Sequence, residues 1–147
     1  LLQDKDAFGA AIETFYSAFK DKEIDVIVGI ESRGFIFAAP LALRMSCRFV
    51  LARKPGKLPS ETIAEEYELE YGTDAIEMHI DAINKGDKVL IVDDLLATGG
   101  TMEGSSRLIE QEGGIIVGYA FVIELVDLKG RKKLDHPIFS LVTFEGE

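Results

Sequence analysis

The chain has 147 residues, 47% hydrophobic and 29% charged, the size of one ordinary domain with enough apolar content for a core. Its 16 Lys and Arg against 26 Asp and Glu give a net charge of −10, which excludes a fold-wide basic surface for nucleic acid or an anionic membrane. The lone cysteine, Cys47, excludes an internal disulfide framework and suits a reducing, cytoplasmic compartment.

The chain opens on Leu1-Leu2 rather than Met, so a missing start is expected, and no charged-then-apolar leader signals export. Residues 7–20 place Phe8, Ala11, Ile12, Phe15 and Phe19 at helical spacing. Residues 24–30 form a β-branched run that predicts a buried strand. Residues 34–44 predict a helix that Pro40 should kink or open. A second strand follows over 49–52. Between positions 44 and 57 stand five cations (Arg44, Arg48, Arg53, Lys54 and Lys57) and no acid. Between 61 and 81 stand eight acids and no Lys or Arg. Alternation of Tyr67, Leu69, Tyr71, Ile76, Met78 and Ile80, broken at Gly72-Thr73, predicts a hairpin with one wet face at about 60–80.

A turn at 84–87 leads into an apolar strand over 89–92 that is expected to stop at two aspartates. Residues 101–112 predict a helix closed by Gly113-Gly114. A further strand spans 115–124, and a last one 137–142. The nearly apolar stretch at 115–126 is too short to cross a bilayer and contains Glu124. There is no internal repeat or linker, so one domain over 1–147 is expected. Nearly continuous apolar strands alternating with helices imply an α/β fold with a mostly parallel sheet covered on both faces. Ligands of such sheets sit beyond the carboxyl ends of the strands. That directs attention to the loops after Ile30, Ala52 and Val92.

The strongest pattern is Val89-Leu90-Ile91-Val92-Asp93-Asp94-Leu95-Leu96-Ala97-Thr98-Gly99-Gly100-Thr101. A strand delivers two carboxylates to the sheet rim. Two glycines then let backbone N–H groups approach an anion, two threonines add hydroxyls, and a helix N-terminus follows. Phosphate on one side and a diol on the other describe a ribose 5-phosphate. The pattern is neither a Walker loop nor a dinucleotide fingerprint. A capped turn with incidental aspartates and a carboxylate metal pair are the competing readings of the residues alone.

This segment resembles the phosphoribosyl-pyrophosphate signature of type I phosphoribosyltransferases. The resemblance implies that family's fold, a central mostly parallel sheet flanked by helices with a mobile β-hairpin lid. It implies that Asp93 and Asp94 hold the ribose and that Ala97, Thr98, Gly99, Gly100 and Thr101 bind its phosphate. Gly29-Ile30-Glu31-Ser32-Arg33-Gly34-Phe35 is similar to the pyrophosphate loop of the adenine-using branch of the family, which gives Arg33 to the leaving group. A surface arginine paired with Glu31 is the alternative for Arg33. Arg53-Lys54-Pro55-Gly56-Lys57-Leu58-Pro59 resembles the same branch, implying that Arg53, Lys54 and Lys57 reach pyrophosphate, in part across a dimer interface. Glu68-Leu69-Glu70-Tyr71-Gly72 matches its closing loop, with Glu70 transferring a proton with the purine and Tyr71 closing the lid. Residues 122–131 resemble its fourth-strand exit, where Leu125 lines the base pocket. The family's hood segment, ahead of the first helix, is expected to be missing here.

The implied reaction is adenine plus 5-phosphoribosyl-1-pyrophosphate to AMP plus pyrophosphate, with Mg2+ carried by the substrate and a homodimer as the assembly. No nucleic acid or membrane partner is expected. The alternatives are a regulator on the same fold that binds the donor without chemistry, and a transferase for hypoxanthine, xanthine or orotate. His79 and His136 lie too far apart in sequence to suggest a zinc set or a catalytic triad, and Cys47 is expected in the core.

Overall fold

The computed structural model describes residues 1–59, 61–69 and 72–146. The first helix, α1, spans Lys5–Phe19. It begins two residues ahead of the periodic stretch because Asp4 caps it, its Oδ1 accepting from the amides of Asp6 at 2.9 Å and Ala7 at 3.2 Å. Strand β1 (Val26–Ile30) leads into α2 (Arg33–Met45), then β2 (Arg48–Ala52). Pro40 neither opens nor ends α2, and the helix continues past it to a left-handed Ser46. Burial of Phe37, Ala38, Leu41 and Ala42 on both sides of the proline outweighs the one backbone hydrogen bond that proline removes.

The acidic segment folds into β3 (Thr62–Leu69) and β4 (Gly72–His79), an antiparallel pair forming a sheet of its own. No break falls at Gly72-Thr73. Both residues belong to β4, paired with Leu69 and Glu68. Residues 88–144 then supply β5 (Lys88–Leu96), α3 (Gly100–Gln111), β6 (Ile115–Leu125), two short 3-10 turns (Val126–Leu128 and Gly130–Lys133) and β7 (Ile138–Phe144). Strand β5 does not stop at the aspartates. Asp93, Leu95 and Leu96 keep their places opposite Phe121, Ile123 and Glu124 of β6, so pairing carries the strand four residues beyond its apolar run.

The main sheet has the order β2-β1-β5-β6-β7, and every described pairing in it is parallel. Alternation along its strands sorts the core into two layers. Ile27, Leu90, Val92 and Ala120 face α1 and α2 with Phe15, Phe19, Phe37 and Leu41. Val28, Ile30, Val89, Ile91 and Tyr119 face α3 and the hairpin, meeting Leu108, Ile109, Tyr67, Ile76 and Met78. Helix α2 comes close to β1 at Gly29, where a Cβ would stand 2.7 Å from that of Ala38. The parallel pairing of β1 with β5 leaves their carboxyl ends side by side at one rim. Cys47 is half-buried beside the α1–α2 layer, and its Sγ donates to the Ile24 carbonyl at 3.2 Å.

Candidate active site

At that rim the loops after β1 and β5 enclose a cavity of about 610 Å³. Its lining includes Ser32, Arg33, Lys54, Asp93 and Asp94 together with the whole run Ala97 to Thr101. Three segments far apart in sequence thus meet at one place, because parallel pairing puts all strand exits on the same edge.

Asp93 and Asp94 lie within β5 and still reach the cavity. The amide of Asp94 donates to Asp93 Oδ1 at 2.8 Å. Burial pushes the Asp93 carboxyl up to about 8, the neighbouring Asp94 carboxylate adding to the effect while the Asp94 amide and Arg33 oppose it. Arg33, the first residue of α2, meets Asp94 through Nε at 2.7 Å. Its side chain is 71% exposed and lines the cavity, with guanidinium donors beyond the one given to Asp94. The opening of α2 is held tightly to β5. A Cβ on Gly34 would lie 3.0 Å from both Asp93 Oδ1 and the Val92 carbonyl.

The loop that follows β5 turns on Gly99, which has a φ of +88° and no room for a side chain, since a Cβ there would stand 2.8 Å from the Gly130 carbonyl. Helix α3 opens immediately after, without a side-chain cap. Its first-turn N–H groups therefore lack intrahelical partners and face the cavity with the positive end of the helix dipole. Such a turn can receive an anion such as a phosphate monoester, and the two aspartates line the same cavity.

The remaining basic residues separate. Lys54 lines the cavity, and its Nζ donates to Tyr67 Oη and to the Asp74 carboxylate of the hairpin. Burial pulls the Lys54 ammonium down, but these bonds more than offset it and leave it raised. Arg53 sits behind it, with Nε 3.3 Å from Glu31 Oε1 and its guanidinium over the Phe35 ring. Glu31 therefore pairs with Arg53, not Arg33, and also accepts from the Lys54 amide at 2.6 Å. Lys57 is exposed and not among the cavity's lining residues. Neither is Leu125, which stands at the end of β6. Glu70 and Tyr71 lie outside the described residues.

Phe121, Leu96 and Met102 supply the apolar wall of the cavity, and sequence reasoning did not single out any of them for a ligand. Phe121 arrives there by register, opposite Asp93 in the β5–β6 ladder. No composition or spacing signal marks that pairing. Among the described residues no group of three or more His, Cys, Asp or Glu side chains could hold a metal ion by itself.

The family model described as a phosphoribosyl transferase domain matches residues 2–145. The chain is 54% identical over 146 residues to an adenine phosphoribosyltransferase of Clostridium botulinum, covering 99% of this chain and 85% of that one. It is 57% identical over 143 residues to one from Halothermothrix orenii, covering 97% and 84%. The crystal structure of the enzyme from Thermoanaerobacter pseudethanolicus superposes with a TM-score of 0.95 at 53% identity over 97% of this chain and 84% of that one. The Saccharomyces cerevisiae enzyme, solved with an imino-altritol bisphosphate and adenine, superposes at 0.90 with 44% identity, over 96% and 82%.

Proposed function

The chain belongs to the phosphoribosyl transferase family, and we propose on that premise that it makes AMP and pyrophosphate from adenine and 5-phosphoribosyl-1-pyrophosphate. The fold is that of the type I phosphoribosyltransferases, and the activity is a purine-salvage glycosyl transfer. The observation that carries the site assignment is the meeting of Asp93 and Asp94 with the Gly99-Gly100-Thr101 turn and Arg33 in one cavity.

In the reaction, N9 of adenine bonds to C1 of the ribose as the bond from C1 to the pyrophosphate oxygen breaks. The electron pair of that bond leaves with pyrophosphate, and the purine gives up its N9 proton. Positive charge develops on the sugar, so the protein's tasks are leaving-group neutralisation, positioning and exclusion of water. Asp93 and Asp94 hold the ribose hydroxyls, and the Asp94 carboxylate places negative charge near the developing cation. The amides of residues 97–101 and the hydroxyls of Thr98 and Thr101 take the 5-phosphate. Arg33 and Lys54 face the departing pyrophosphate, Lys54 from its post between Tyr67 and Asp74. Arg53 holds Glu31 and so orders the loop that carries Arg33. Glu70 receives the purine proton and Tyr71 covers the site. Phe121 bounds the base from the cavity wall, and Leu125, at the end of the same strand, flanks it from outside the lining.

The donor set fits a magnesium ion carried by the substrate. A hard divalent cation that keeps waters needs only one or two carboxylates beside substrate phosphates, and the Asp94 carboxylate meets that need. Bound with the donor, it would neutralise pyrophosphate charge.

Lys57 is exposed and outside its own protomer's cavity, so its role at pyrophosphate calls for the cavity of a second protomer. We therefore place the protein as a single-domain chain in a homodimer, and in the cytoplasm, where its lone Cys47 would stay reduced. No helix among the described residues is long and apolar enough to cross a membrane.

The test is pyrophosphate release with donor, Mg2+ and, in turn, adenine, hypoxanthine, guanine, xanthine and orotate. Release with adenine alone is the expected result. Donor binding without release for any base would overturn the reading in favour of a donor-sensing regulator.

A further inference from the structure

The turn after β6 touches the proposed phosphate loop through groups that the reaction scheme leaves unused. Glu124, near the end of β6, is buried at 2% exposure. Its Oε2 accepts from Arg131 Nε at 2.6 Å, and its Oε1 accepts from Arg131 Nη2 and from Ser140 Oγ, each at 2.9 Å. Burial pushes the Glu124 carboxyl up, but these donors outweigh it and hold it below its ordinary value. Arg131 belongs to the Gly130–Lys133 turn and Ser140 to β7, so one carboxylate ties three segments together.

The geometry runs from that clamp into the loop. Leu96, the last residue of β5, is the register partner of Glu124. Gly130, next to Arg131, lies on the loop's backbone. A Cβ there would stand 2.5 Å from the Ala97 carbonyl and 2.8 Å from Leu96 Cδ1. From the other side, a Cβ on Gly99 would stand 2.8 Å from the Gly130 carbonyl. The two glycines are thus pressed together backbone to backbone. A forked guanidinium on a carboxylate fixes direction as well as distance, which a single point contact cannot do.

We propose that Glu124 and Arg131 are positioning residues that hold Gly130 against Gly99 and keep residues 97–101 in the shape that receives the sugar phosphate. The proposal rests on the reading of those residues as the phosphate loop. Neither residue lines the cavity, so the effect falls on affinity for the phosphorylated sugar and not on the chemical step.

The experiment is calorimetric titration of ribose 5-phosphate into the full chain and two variants, with steady-state kinetics alongside. Arg131→Lys keeps the charge and loses the fork. The double variant Glu124→Met/Arg131→Met removes the clamp without leaving a lone carboxylate buried, the condition that favours folding. Both should keep their circular dichroism, weaken ribose 5-phosphate about tenfold and raise the donor KM in parallel, with kcat and the adenine KM within about twofold of the parent. The double variant decides, or Arg131→Lys if the double does not fold. Ribose 5-phosphate affinity within about twofold of the parent overturns the proposal, as does an equal rise in the adenine KM, the mark of general loosening. Failure of the unaltered chain to bind ribose 5-phosphate would instead overturn the phosphate reading on which the proposal stands.

Discussion

Asp93 and Asp94 are neighbours with different surroundings. Asp94 has Arg33 at 2.7 Å, whereas the Asp93 carboxyl has lost hydration and its raised value leaves it largely protonated near neutral pH. A bound ribose offers hydroxyls that can donate to one carboxylate and accept from a protonated neighbour, so the pair suits a diol better than two free carboxylates would. Replacing both by Asn removes the negative charge and one acceptor oxygen from each side chain, and takes the ionic partner from Arg33. Asp93→Asn with Asp94→Asn should lower kcat/KM for pyrophosphate release by about two orders of magnitude or more, with circular dichroism unchanged. Near-normal turnover in a folded double variant would contradict the ribose assignment.

At the scale of elements, the hairpin is anchored to α3, the helix whose first turn lines the cavity. Arg107 of α3 reaches Glu65 Oε1 at 3.1 Å and the Glu66 carbonyl at 2.9 Å, and Gln111 Nε2 reaches Glu65 Oε2 at 3.0 Å. Between them the Tyr67 ring lies on Gly104, where a Cβ would stand 3.0 Å from Cδ1 and 3.2 Å from Cβ of the tyrosine. Gly104 is there for that approach, since its place inside a helix is otherwise unfavourable by about 1 kcal/mol against Ala. Gly104→Leu should force the tyrosine off α3. The expected cost is about 1–3 kcal/mol in denaturant unfolding, with faster amide exchange over 62–67. Because Tyr67 also holds Lys54, donor KM should rise in the same variant. Unaltered exchange in the hairpin would show that the ring can repack without moving the strand.

The whole molecule should carry a pH signature set by opposing groups. Asp93 is raised from 3.8 to about 8 in the fold, so between those values the native state holds a proton that the unfolded chain has released. Stability therefore falls as pH rises through that window. Asp74, Asp87 and Glu124 have the opposite sign. Lys54 lowers Asp74, the Arg48 fork at 2.8 and 3.2 Å lowers Asp87, and Arg131 with Ser140 outweighs burial at Glu124. Their contribution is present above the ordinary carboxylate range and is lost as pH falls through it. The thermal midpoint should peak at about pH 4–5 and decline toward about pH 8. Asp93→Asn should flatten the alkaline decline and leave the acid limb in place. A decline of equal size in that variant would mean that another group sets it.

Residue pattern by itself determined the alternation of strands and helices, the acidic hairpin, and the aspartate pair followed by a glycine-threonine turn. These depend on period, on turn chemistry and on hydropathy, all local in the chain. Strand ends were less legible. The apolar run of β5 stops at Val92, yet the ladder with β6 carries the strand to Leu96, because pairing is a property of two segments. Pro40 inside α2 and the placement of Gly72 in β4 followed the same rule, with packing or partner overriding a local break signal. Tertiary structure alone decided which residues meet at the cavity. Register brought Phe121 opposite Asp93, the crossing of α2 over β1 gave Asp94 to Arg33 and Glu31 to Arg53, and Gly130 met Gly99 across about thirty residues of chain. Chemistry was written along the chain in short segments, and the sheet's common exit edge turned those segments into one site.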